Sequence, residues 1–263
     1  MDETFDIEKT NSYHLSLLKD ENSFSIAVLD PGPNKYIAVR SGLTVPLPET
    51  DLLKHDYRSV SCSVAHPKFA LVPSVLFDEE NKDSLLGFNH EVKEDEIILS
   101  GKLHNLEAKN IFTVSKKLVA DIRALFPKAE FLHSATPFIE GLLVRNKNRT
   151  EKKVFANFYP DYFEVAIPEG RELLFSNAFR YKTPEDIAYY ILFLYEQLHL
   201  DPETTELVLS GEIEKTDTEH SLLYTYIRNV RFASRPDGFN YSYKFGEFPS
   251  HKFFSLFNQY LCA

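Results

Sequence analysis

The sequence predicts an α/β fold built twice over, and three observations carry that prediction. Residues 25–39 read as an alternating strand, a turn containing Pro31, Gly32 and Pro33, and a second strand; residues 163–175 read the same way around Pro168 and Gly170. An apolar strand precedes each of these hairpins, at 15–18 and 154–158. Each three-stranded meander is then followed, in the same order, by a capped helix, a short buried strand and a further helix.

The second half states this order most plainly. Strands are expected at 154–158, 162–167 and 172–179. Thr183-Pro184-Glu185-Asp186 starts a helix: a hydroxyl N-cap, proline at the first helical position, then two acids at the positive end of the dipole. Ile187, Tyr190, Ile191, Leu194 and Leu198 fall at helical spacing and make one apolar face to about residue 199, where Asp201-Pro202 stops the helix. Glu206-Leu207-Val208-Leu209-Ser210 is a buried strand ending at Gly211. A helix over 218–228, a strand over 230–232 and a closing helix from Ser250 complete the half.

In the first half the helix begins at Ser115 as N-cap, turns Leu118, Val119, Ile122 and Leu125 inward, and stops at Pro127. A strand Glu130-Phe131-Leu132-His133 ends at Ser134, and a helix spans 136–144. Matching Ser16 to Ala156, 140 residues on, and Ser134 to Ser210, 76 residues on, places about 64 extra residues within 43–110. That insertion is expected to be a small subdomain with strands over 68–77 and 95–103 and an acidic surface loop. The halves are thus 11–145, with the insertion at about 43–110, and 150–263, joined by the basic stretch Arg145 to Lys153 read as a solvated linker.

Composition narrows the function classes. A formal charge of −10 opposes sequence-independent binding to nucleic acid or anionic membrane. The two cysteines, Cys62 and Cys262, make neither a disulfide framework nor a metal spacing. The acidic start is unlike a secretion signal, and no apolar run approaches the roughly 20 residues of a membrane span, so a cytoplasmic protein is expected. Twenty-two Phe and fourteen Tyr against no Trp and one Met make the core aromatic.

Meander, helix, strand, helix, twice over with an insertion in the first copy, resembles the actin-like ATPase fold of two ribonuclease-H-like halves. Leu173-Leu174-Phe175-Ser176-Asn177-Ala178-Phe179, the capped helix and Leu207-Val208-Leu209-Ser210-Gly211 are similar to the actin-like proteins of bacterial cell division and type IV pilus assembly. The whole chain also resembles a family of uncharacterised bacterial proteins assigned to that fold. The resemblance implies a nucleotide cleft between halves, with a phosphate loop at the first turn of each meander and a glycine pair at the adenosine.

Those parts are altered here. Glycine lets backbone N–H groups approach phosphate, and aspartate holds hydrated Mg²⁺. The first turn, Lys19-Asp20-Glu21-Asn22-Ser23, has no glycine, and its two acids repel phosphate; Lys19 and Ser23 are its phosphate-compatible groups, and the same residues suit an ordinary polar turn. In the second turn Asn157 stands where the resemblance implies an aspartate, and Phe158, Tyr159 and Pro160 replace small residues; Pro160 has no N–H to donate. Ser210-Gly211 keeps one glycine, and Glu212 replaces the second.

A nuclease would need carboxylates clustered on central strands for two metals, and the strand from Tyr13 to Leu18 has none. His133, ending a buried strand, reads as a core histidine with a hydrogen bond, and Cys62, between Ser61 and Ser63, as a small core residue. The expected function is therefore a catalytically inactive actin-like scaffold or protein-binding module without cofactor, metal site or catalytic residues. Its aromatic C-terminal stretch, from Phe239 to Phe254, either packs in the core or adds to a protein contact. The alternative is an ATPase or phosphotransferase taking ATP with Mg²⁺ through Lys19, Asp20, Asn157, Asp161, Ser210 and Gly211.

Overall fold

The computed structural model describes residues 5–44 and 50–262. The chain divides into two compact units, one of Met1–Glu140, Pro236–Glu247 and Ser255–Ala263, the other of Gly141–Arg235 and Phe248–Phe254.

In the first unit β1 (His14–Lys19), β2 (Ser23–Asp30) and β3 (Lys35–Thr44) form the meander. β4 (Ser59–Val64) runs parallel to β1 on its other side. The chain then leaves this sheet for β5 (Phe69–Pro73), α1 (Lys82–Gly87), β6 (Glu96–Lys102) and β7 (Ala108–Ser115), whose strands make a separate three-stranded sheet ordered β5-β7-β6. It returns through α2 (Lys116–Leu125) and β8 (Glu130–His133), parallel to β4, and enters α3 (Ala135–Asn146).

The second unit contains β9 (Val154–Phe158), β10 (Tyr162–Glu169), β11 (Glu172–Arg180), α4 (Pro184–Gln197), β12 (Leu207–Gly211), α5 (Thr218–Tyr226) and β13 (Val230–Phe232). β14 (Asn240–Tyr241) pairs with β3, and α6 (Phe254–Asn258) lies near the C-terminus. Thr183 and Asp186 make the predicted capping box at the start of α4: Asp186 N–H donates to Thr183 Oγ1 at 3.3 Å, and Thr183 N–H to Asp186 Oδ2 at 3.0 Å. Backbone donors from Lys182 and Thr183 hold the Asp186 carboxyl below the usual aspartate range.

The sheet orders are β14-β3-β2-β1-β4-β8 and β11-β10-β9-β12-β13, so five strands repeat with the same order and directions. Register fixes the equivalences. Lys19 faces Phe24 and Val64, as Phe158 faces Phe163 and Gly211. Lys19 therefore matches Phe158, and Leu17 matches Ala156, where sequence had matched Ser16 to Ala156. Ser63 matches Ser210, replacing the expected Ser134; the strand after Glu130 is instead the counterpart of β13. β4 thus belongs to the repeated sheet, and the extra chain of the first half follows it. The alternating serines of Ser59-Val60-Ser61-Cys62-Ser63-Val64 resemble a solvated face, yet this polar face is nearly as buried as the apolar one.

Each unit has its own core. Leu15 and Leu17 of β1, Ile26 and Val28 of β2, Val60 and Cys62 of β4 and Ile122 of α2 pack together. Val154, Ala156 and Phe158 of β9 pack with Val165, Leu209 and the α4 residues Ile187, Ile191 and Leu194. Leu125, expected inward, is exposed, because α2 ends there and Phe126 turns into the core in its place. The C-terminal aromatics resolve toward packing: Phe245, Phe253, Phe254 and Phe257 are buried, and Tyr36 lies 4.6 Å from the Phe257 ring. The basic stretch is only partly solvated, since Arg145 donates to the Ser234 and Arg235 carbonyls and lies over the Phe254 ring.

Candidate functional site

The first turn is closed by its own residues. Asp20 N–H donates to the Ser23 carbonyl at 3.1 Å, fixing the hairpin between β1 and β2. The Asp20 carboxylate then accepts from Asn22 N–H at 2.8 Å, Ser23 N–H at 2.6 Å and Ser23 Oγ at 2.6 Å. These are the donors an anion at this turn would use, and the loop's own carboxylate holds them. Lys19 Nζ folds over the same turn and donates to the Asp20 and Glu21 carbonyls. Burial holds its ammonium below the usual lysine range, against the pull of Asp20 and Glu21.

The second turn, between β9 and β10, keeps the same main-chain bond: Tyr159 N–H donates to the Tyr162 carbonyl at 2.9 Å. Its filling differs. Tyr159 and Tyr162 stack with centroids 4.6 Å apart and planes 10° from parallel, and both are buried. Pro160 has no donor, and the Tyr181 hydroxyl occupies the Tyr159 carbonyl at 2.8 Å. Asp161, in this turn, pairs at 2.5 Å with Arg180 at the end of β11.

Asn157, Ser210 and Gly211 do come together, because β9 and β12 are parallel with Asn157 beside Ser210. Ser210 Oγ donates to Asn157 Oδ1 at 2.9 Å. Gly211 has φ +85°, and a Cβ there would collide with the Phe158 backbone nitrogen and oxygen. Its glycine thus has a local structural reason: the strand end rests on the β9 main chain, and Glu212 N–H donates to the Phe158 carbonyl at 2.9 Å. Lys19 and Asp20 are neighbours in the first unit; Asp161 lies in the turn between β9 and β10 and is paired with Arg180.

His66, His133 and Cys62 are held in the interior of the first unit. His133 Nδ1 accepts from Ala135 N–H at 3.1 Å, so its Nε2–H donates to the His66 carbonyl at 2.7 Å. His66 Nδ1 accepts from Lys68 N–H, and its Nε2–H donates to the Thr113 carbonyl. Both rings are neutral, their protons assigned by these partners. Burial lowers the His66 pKa to about 4 and pushes His133 well below its ordinary value. Burial raises the Cys62 thiol to about 12, so no thiolate forms near neutrality.

Sequence reading missed a buried polar chain in the first unit. Ser59 Oγ donates to His14 Nδ1, His14 Nε2–H to Ser61 Oγ, Ser61 Oγ to Gln259 Oε1 at 2.8 Å, and Gln259 Nε2 to Ser63 Oγ at 2.6 Å. The alternating serines of β4 are its sequence trace; the partner Gln259 lies 196 residues from Ser63 and has none. Among the described residues, no group of three or more His, Cys, Asp or Glu is placed to hold a metal, and no helix is long and apolar enough to cross a membrane.

Comparison with known proteins agrees with this architecture. A Bacteroides thetaiotaomicron protein described as having an actin-like ATPase fold and unknown function superposes with a TM-score of 0.78 at 27% identity, over 88% of this chain and 94% of that one. A chain of the PilM–PilN type IV pilus biogenesis complex superposes with a TM-score of 0.60 at 12% identity, over 94% of this chain and 97% of that one. No curated protein matches. The model of the family described as "protein of unknown function (DUF3822)" matches residues 2–230. The chain therefore belongs to the DUF3822 family and carries the actin-like ATPase fold, two ribonuclease-H-like halves with an inserted three-stranded sheet in the first.

Proposed function

We propose that this protein is a non-hydrolysing member of the actin-like fold that works as a protein-binding scaffold. The observation that carries the reading is the first turn, where the Asp20 carboxylate takes the Asn22 and Ser23 donors. A triphosphate approaching that turn meets a fixed negative charge and finds those donors committed. The second turn supports the same reading through Pro160 and the Tyr159–Tyr162 stack, which replace small residues and free N–H groups. The fold also occurs in a type IV pilus biogenesis complex, so a role in assembly is compatible with it.

Thermal unfolding with and without millimolar Mg·ATP, alongside phosphate release, tests the proposal. Ligand at about 100 times its Kd stabilises by roughly 2.7 kcal/mol, which raises Tm by several degrees in a chain of this size. The expected result is an unchanged Tm and no phosphate release. A clear upward shift would move the reading to a nucleotide-binding ATPase or phosphotransferase acting through Lys19, Asp20, Asn157, Asp161, Ser210 and Gly211.

A further inference from the structure

β11 ends the sheet of the second unit, and among the described residues no strand pairs with its outer edge. The corresponding edge of the first unit, on β3, is covered at Lys35 and Tyr36 by β14. Register shows which main-chain groups of β11 lie open. The bond from Tyr159 N–H to the Tyr162 carbonyl turns the main-chain groups of Tyr162 toward β9. Those of Phe163, Val165 and Ile167 therefore turn toward β11, where they meet Phe179, Asn177 and Phe175. The N–H and C=O groups of Ser176 and Ala178 consequently point away from the sheet. The acceptor of Ala178 N–H agrees: it is the Asn177 side chain, at 2.8 Å. The irregularity of β11 falls at Leu174, so the run from Phe175 to Arg180 is regular.

An aromatic surface continues from this edge. Phe179 stacks on Tyr190 of α4 with centroids 4.7 Å apart, Tyr190 meets Tyr189 at 5.4 Å, and Tyr189 stacks on Phe193 at 6.2 Å. These ring contacts join β11 to the outer side of α4. Tyr189 is 64% exposed and Phe193 44%. Ala188 and Tyr195, on the other flank of the helix, are buried, so the exposed rings lie on the flank toward β11.

The residues of the edge select the occupant. Phe175-Ser176-Asn177-Ala178-Phe179 is a palindrome of shape about Asn177, and Leu173 to Phe179 carries no charge, so the acids behind the net charge of −10 stay out of the run. A strand from another protein has no need of that symmetry; a second copy of this chain requires it. We propose that two copies of this protein dimerise through their β11 edges, antiparallel about a two-fold axis at Asn177. Phe175 then lies beside Phe179 of the second copy, twice. Ser176 lies opposite Ala178 of the second copy, and their open N–H and C=O groups satisfy each other. At the ends, Arg171 and Glu172 of one copy run alongside Lys182 and the Arg180–Asp161 pair of the other, so both signs of charge meet there. The pairing joins two five-stranded sheets and covers Tyr189 and Phe193.

Sedimentation equilibrium of the full chain tests the proposal and should give a dimer with a Kd of about 10 µM or tighter. Ser176→Pro removes an outward N–H and no bond to β10, and should weaken the dimer at least about tenfold with an unchanged Tm in dilute, monomeric protein. Tyr189→Ser with Phe193→Ser should weaken it as well. Asn177→Lys and Asn177→Glu each set like charges against each other on the axis and should each dissociate the dimer, while their equimolar mixture should restore it. If Ser176→Pro lowers Tm, that mixture decides alone, because mixing repairs no misfolded chain. A monomer at every concentration, a dimer indifferent to Ser176→Pro, or lysine and glutamate variants that fail to rescue each other would overturn the proposal. A labelled peptide spanning residues 172–180 supplies the remaining arm: its binding to a monomeric wild type would assign the edge to a strand from another protein and reject the second copy. The inference goes beyond the scaffold reading, and a Tm shift in Mg·ATP strikes that reading while leaving the dimer standing.

Discussion

The two meander turns occupy equivalent places in repeated sheets, yet side chains of opposite character fill them. Asp20–Ser23 and Tyr159–Tyr162 each span four residues, closed by one bond from the first N–H to the last carbonyl. Downstream the match continues: Ala65 N–H donates to the Lys19 carbonyl at 2.8 Å, and Glu212 N–H to the Phe158 carbonyl at 2.9 Å. The first turn is charged and satisfies its donors with its own carboxylate; the second is aromatic and removes one donor through Pro160. The comparison separates two layers of information. Main-chain bonds preserve the hairpin whatever the side chains are, while the side chains decide whether the turn keeps N–H groups for a ligand.

Truncating the aromatic turn is the strongest way to sharpen this contrast. Tyr159→Ala removes a buried, stacked ring and should cost about 3 kcal/mol of stability. Urea unfolding reads it as a lower midpoint at unchanged slope. Asp20→Ala acts on a partly exposed turn where water can replace the lost acceptor, so its cost should be smaller, about 1.5 kcal/mol by the same measurement. If Asp20→Ala proves the more damaging, the polar turn is the principal structural element and the comparison is reversed.

Acid sensitivity gives a smaller and more distributed effect. Burial lowers His14 and His66 to about 4, below the unfolded value of 6.5. Below pH 6.5 the unfolded chain takes up protons that the folded chain refuses, so stability falls as pH drops from 6.5 toward 4 and is fully present above that window. Near pH 5.5 each of these rings should cost about 1 kcal/mol, measured as a falling urea midpoint between pH 7 and 5. A midpoint flat across that range would mean that the rings accept protons without disrupting the Ser59–His14–Ser61 chain.

Several elements were legible because their causes are local. Thr183-Pro184-Glu185-Asp186 marks a helix start wherever it occurs, since the cap satisfies N–H groups within one turn. The apolar runs of β9, β10 and β2 announce strands in the same way, and all three are buried almost throughout. β4 was hidden because its serines look solvent-facing until Gln259 and His14 are brought to them. The Ser134–Ser210 match therefore falls on β8, whereas the register pairs Ser210 with Ser63 of β4, and the extra chain follows β4.

The candidate site divides along the same line. Missing glycines and the proline in the turns were visible in the residues themselves, because a lost N–H or an added ring needs no tertiary context. That Asp20 closes on its own loop, and that Gly211 rests against the Phe158 backbone, depended on geometry. By itself the sequence determined the doubled α/β class, the Thr183 helix cap and the altered turns; the Ser115 position starts α2 without a side-chain cap bond. Only the tertiary structure decided which strands are equivalent, which serines are buried and which apolar side chains face outward. Those outcomes depend on partners brought close by folding, and separation along the chain carries no record of them.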